Sequence, residues 1–168
     1  MILGMSTATF TLLHVIISLI GIFSGLVVAA ALWSGKRLDN WTGIFLLTTV
    51  LTSVTGFFFP VAGLDPARIV GIISLVVLAI AILAFYVYHA TGAWRWIYVT
   101  TALVSLYLNC FVAVVQSFQK IPFLHALAPN GNEAPFIAAQ VTLMLAFIIV
   151  GVVSVRAVAV LPTATGST

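Results

Sequence analysis

His14 is the residue of this chain best placed to do chemistry, because it is ionisable and lies inside a long apolar run. Ser18, Gly21 and Gly25 follow it at helical spacing, so the four share one face. Gly21 and Gly25 form a GxxxG pair, which lets two backbones approach closely, so this face should point into a helix bundle. An ionisable group buried in a membrane is a functional candidate by default, here for binding a ligand. The plainer alternative is a neutral ring bonded to a neighbouring helix. Other segments carry polar groups at matching depth. Thr52, Ser53 and Thr55 precede Gly56, while Thr101, Ser105 and Asn109 recur every four residues, with Gln116 beyond them. Gln140 lies about one and a half turns past Pro135. If these faces converge, His14, Asn109, Gln116 and Gln140 line a polar pocket. His125, in the stretch "SFQKIPFLHALAPNGNEAPF", would join them if that stretch folds over as a lid rather than serving as a plain connector.

Much other chemistry lacks residues. His14 and His89 sit near opposite ends of their segments, roughly 20 Å apart in depth, so they cannot share a haem iron. Pairing His14 with His125 would need a loop residue as axial ligand. No Cys or Cys/His cluster of metal-binding type occurs, and Cys110 has no second cysteine to pair with. Asp39, Asp65 and Glu133 all fall between apolar runs, so no carboxylate is available for an intramembrane acid pair or proton relay. There is no GxSxG and no GxxxxGK[ST]. No metal or cofactor is expected, and no catalytic residue is assigned.

These residues must be positioned by membrane helices. The chain is 63% hydrophobic and 5% charged, with a mean hydropathy of +1.29, whereas soluble domains carry about 25% charged residues. In a bilayer every backbone group needs an internal partner, which leaves helices or a closed barrel. The apolar runs are continuous rather than alternating, so helices win. Five spans are read, at about 9–33, 41–60, 69–89, 97–118 and 135–155, with a loose tail over 157–168. The whole is one transmembrane domain. "MILGMSTATF" has no basic residue, so the first run reads as a retained helix. If it were instead a signal peptide, cleavage would fall at Ala29-Ala30-Ala31. The net charge of +3 comes from six scattered basic residues that form no patch, which argues against nucleic acid.

Lys36, Arg37, Arg95 and Arg156 fall on one side of this threading, and Arg68 and Lys120 on the other. The basic side is cytoplasmic by the usual loop bias, so the N-terminus is outside and the C-terminus inside. Trp33, Trp41, Trp94 and Trp96 join the cytoplasmic set as interface anchors. His89, among Tyr86, Tyr88 and Trp94, reads as an anchor too.

The strings "GKRLDNWTGIFLLTTVLTSVTGFFFP", "VGIISLVVLAIAILAFYVYHATGAWRWIYV" and "LYLNCFVAVVQSFQKIPFLHALAP" resemble a family of small, uncharacterised bacterial multi-pass proteins. The resemblance runs from the first helix into the fifth and implies a bacterial inner membrane. It implies no activity and brings no functional residue. The expected protein is an all-α bundle with a non-catalytic accessory or scaffolding role in the bilayer. It would contact a membrane protein partner or a second copy, the latter through the Gly21/Gly25 face. The alternatives are binding or transport of a small apolar ligand, such as a quinone or lipid, and a redox membrane anchor.

Overall fold

The computed structural model describes residues 1–60 and 66–159. Asp65 and the part of the expected tail from residue 160 onward lie outside them. Among the described residues the chain is helical, with no strand. Helix α1 spans Thr7–Trp33, α2 Asp39–Gly56 and α3 Pro66–Ile82, which continues through a π-helical turn at Leu83–Val87. Helix α4 spans Trp94–Lys120, the short α5 Pro122–Leu127, and α6 Ala134–Ala159. Ser6 caps α1 by accepting from the Thr9 amide at 3.1 Å. Prolines open α3 and α5 and stand second in α6, where a missing N–H is harmless.

Two boundaries differ from expectation for clear reasons. The second span stops at Gly56, and residues 57–59 form a turn that turns three phenylalanines onto α1 and α3. Helix α6 runs on through 157–159, which were expected in the tail. There Gly35 packs on the Ala157 backbone and Arg95 donates to the Val158 carbonyl at 3.1 Å.

Four helical stretches, Thr7–Trp33, Pro66–Val87, Trp94–Lys120 and Ala134–Val158, are long and apolar enough to cross a membrane. Helix α2 is not among them, because its 18 residues include Asp39, Asn40 and several threonines. It nevertheless runs antiparallel to α1 along nearly all of its length. The Trp41 ring meets Phe23 at 6.0 Å, Thr55 bonds to His14, and Phe59 meets Phe10 at 5.2 Å. Helix α4 is antiparallel to α1 as well, with Asn109 opposite Gly21 and Leu106 opposite Gly25.

The apolar core is concentrated toward one end. Val28, Leu32, Phe45, Leu78, Tyr98, Val99, Ala102 and Leu106 form a single cluster towards the Arg37 end. That end is also tied by polar contacts. Arg37 donates to both oxygens of Asp39, at 3.1 and 3.2 Å, and to the His89 carbonyl at 2.8 Å, and its guanidinium lies 4.8 Å from the Phe85 ring centroid. The π-helical turn puts Phe85 inside, 5.0 Å from Tyr98, while Tyr86 and Val87 point out. The Tyr98 hydroxyl shares a 2.9 Å hydrogen bond with Thr42.

The small-residue face of α1 is packed at Gly25 by side chains of the same chain, Phe45 and Leu106. A Cβ on Gly25 would come 2.5 Å from Leu106 and 2.8 Å from Phe45. Gly25→Ala should therefore destabilise the protein by about 1–3 kcal/mol through overpacking. A thermal melt in detergent checks this, and an unchanged midpoint would mean that α1 is not held against Phe45 and Leu106.

Candidate functional site

At the other end, α1, α2 and α4 meet along polar side chains. His14 is half-buried, and its Nδ1 lies 2.7 Å from the Thr55 hydroxyl. That hydroxyl also donates to the Leu51 carbonyl at 2.7 Å. A threonine has a single hydroxyl hydrogen. With that hydrogen on Leu51, Nδ1–H donates to Thr55 and Nε2 keeps a free lone pair. The ring is covered by Phe59, edge-on at 5.3 Å, beside Phe10 and Phe58. Gly56 leaves room for it, since a Cβ there would lie 3.8 Å from His14 Cε1.

Two turns further along α1, Gly21 opens a second polar point. A Cβ there would meet Asn109 Nδ2 at 3.2 Å, Thr48 Oγ1 at 3.2 Å and Thr49 Oγ1 at 3.3 Å. Asn109 and Thr49 are only 8% and 2% exposed, yet Asn109 Nδ2 and Thr49 Oγ1 have no hydrogen-bond partner among the described residues. Leaving a buried donor unmade costs about 1–3 kcal/mol, so these are groups that gain from a partner. Thr48 is satisfied locally, by the Ile44 carbonyl at 2.7 Å. Below this point Phe45 and Leu106 close on Gly25, so the polar seam ends against the apolar core.

The expected site residues do not all come together. His14, Ser18, Gly21 and Asn109 lie on the one seam, with the Ser18 hydroxyl spent on the His14 carbonyl at 2.7 Å. Gln116 stands two turns beyond Asn109 on α4, and Lys120, one turn further, is close enough to act on the His14 ring electrostatically. Its Oε1 is buried without a partner among the described residues. Gln140 is engaged differently, donating to the Phe111 carbonyl of α4 at 3.3 Å, with its Oε1 unpartnered. His125 stands apart. It is exposed on α5, whose packing partner is α4, and no hydrogen bond or ring contact joins it to His14. After α5, Glu133 ties the turn. Its carboxylate accepts from the Asn130 and Asn132 amides at 3.0 Å each and from Asn130 Nδ2 at 2.8 Å. Desolvation, the largest single influence, pushes the carboxyl up, but the hydrogen bonds together outweigh it and hold the carboxyl below its usual range.

Thr48, Thr49, Thr55 and Phe59 were absent from the expected set of site residues. The signal for the hydroxyls was present, because Thr48, Thr52 and Thr55 recur at i, i+4 and i+7 on one face of α2. His89 lies at the Arg37 end, far from His14, in a left-handed turn (φ 50°) with its carbonyl held by Arg37. Among the described residues no three His, Cys, Asp or Glu side chains converge to hold a metal. What the arrangement offers chemically is a set of hydrogen-bonding groups, at Asn109 Nδ2, Thr49 Oγ1 and Gln116 Oε1, that have no partner among the described residues.

In comparison with known proteins, no family model, curated protein or solved structure matches this chain. The functional reading therefore rests on the geometry.

The His14–Thr55 contact should be measurable. In a double-mutant cycle of His14→Phe and Thr55→Val, the coupling should be about 0.6 kcal/mol, the mean for hydrogen bonds between membrane helices, and at most about 1.7. Strictly additive shifts in thermal stability would place the two side chains out of contact.

Proposed function

We propose that this chain is a five-span protein of a bacterial inner membrane that acts without catalysis, as an accessory subunit holding a small, weakly polar molecule such as a quinone or lipid. The observation that carries the ligand is the convergence of unpartnered Asn109 Nδ2 and Thr49 Oγ1 on Gly21, below His14. Hydrogen-bonding groups at this depth have little access to water and favour a ligand with its own carbonyl or hydroxyl groups. Such a molecule would accept from Asn109, and one that carries a hydroxyl would also donate to His14 Nε2 or to Gln116 Oε1. The looser packing of this half supports the reading, since residues 110–117 of α4 are all only half-buried. The accessory role draws support from α6, where every position from 134 to 153 is at least partly exposed, leaving a long apolar face for another membrane helix.

Counting α2 as a span is supported by its packing along α1. Its 18 residues rise about 27 Å, close to the ~30 Å of a bilayer's hydrocarbon. The orientation draws on Arg37 and Arg95, which join with Lys36 and Arg156 at one end, opposite Arg68 and Lys120. On that basis the site opens in the outer leaflet. A reporter fused after Thr168 is expected to be active in the cytoplasm, and one inserted near Asn130 outside. The reverse pattern refutes the orientation.

Native purification with mass spectrometry tests the ligand, because it reports bound small molecules and partner proteins together. The wild-type protein should retain one defined small molecule. Asn109→Leu should reduce its retention about tenfold, equivalent to ~1.4 kcal/mol, while the fold survives. Equal retention by both proteins, or no defined molecule in either, rejects the ligand reading.

A further inference from the structure

We infer that the groove between α4 and α6 binds one acyl chain of an anionic phospholipid, with the lipid phosphate on Arg156. The groove has a volume of about 540 Å³ and is almost wholly apolar. Tyr107 of α4 and Met144 and Phe147 of α6 form its far end, and Arg156 stands at the other. Its middle is open at Gly151, where an added Cβ would meet nothing within 4 Å. From Met144 to Arg156 the helix rises about 18 Å, close to the ~15 Å depth of one leaflet's hydrocarbon. The trough therefore matches a chain of one leaflet, with its charged end at the interface.

Charge selects the headgroup. Arg156 is exposed, and no ion pair or hydrogen bond holds it among the described residues. Arg95 lies at the same end, donating to the Val158 carbonyl just beyond Arg156. A guanidinium presents a planar fork that fits phosphate oxygens, and basic residues at the end of an interhelical groove favour anionic headgroups. A second copy of the chain is a poorer occupant. Among the described residues the acid at this end is Asp39, which is already paired with Arg37, while Glu133 sits at the opposite end. An apolar helix of another copy would leave Arg156 uncompensated.

The test is competitive lipid retention. Protein in mixed micelles of equal phosphatidylglycerol and phosphatidylcholine is examined by native mass spectrometry. Phosphatidylglycerol should be retained in preference. Arg156→Gln should lower its retention roughly fivefold, leave phosphatidylcholine unchanged, and be largely rescued by Arg156→Lys. Gly151→Leu should reduce both lipids by filling the trough, with a thermal midpoint near wild type showing that the fold is intact. Equal retention of the two lipids by the wild type, or no effect of Arg156→Gln, overturns the inference. So does a dimer that Gly151→Leu dissociates without changing lipid retention, because the groove would then belong to a second copy.

Discussion

Phe45 and Leu106 can both rest against α1 because residue 25 has no side chain. In a bilayer there is little hydrophobic force between helices, since lipid tails are as apolar as leucine; contact must come from close packing and from hydrogen bonds. The Gly25 contact supplies the close packing and brings three helices to one point. From there the core spreads in one direction, through Val28, Leu32, Leu78 and Tyr98 to Phe85. In the other direction the same approach, carried one turn along α1 to Gly21, brings the Thr48 and Thr49 hydroxyls and the Asn109 amide together about the glycine.

The bundle is therefore asymmetric along its length. Its Arg37 end is sealed by aromatic packing and by a guanidinium that joins the α1–α2 connection to the turn after α3. The exposed Arg37–Asp39 pair contributes little by itself. What makes Arg37 matter is the third contact, to the His89 carbonyl, because it reaches a distant segment. At the His14 end, threonine hydroxyls bond back to their own helix carbonyls and present oxygens to the neighbouring helix. The result is a half-packed polar seam above a tightly packed apolar core.

Much of the fold was legible in the residues. Helices rather than strands follow from uninterrupted apolar runs, because a bilayer leaves no other way to satisfy the backbone. The ends of α1 and α4, and the start of α6, fall within a few residues of polar and proline punctuation. The inward face of α1 followed from Gly21 and Gly25, since small residues mark where backbones can meet. His14 and Asn109 were legible as polar groups that turn inward, because both are costly to place against lipid.

What the residues alone could not decide is which faces meet. In a soluble helix the contrast between apolar and polar sides points to the core, but here most helices are apolar nearly all round. Spacing placed Gln116 and Gln140 on helix faces without saying which helix each would turn towards, and Gln140 turned to the Phe111 carbonyl of α4. His125 looked able to reach His14, and only the packing of α5 on α4 set the two apart. Thr55 became the partner of His14 because α2 lies antiparallel to α1 at a register fixed far away, where Phe45 settles on Gly25. The sequence by itself determined that this is a helical membrane protein with buried polar groups. The tertiary structure decided which of those groups meet, because register and rotation are properties of helix pairs and are encoded in no single helix.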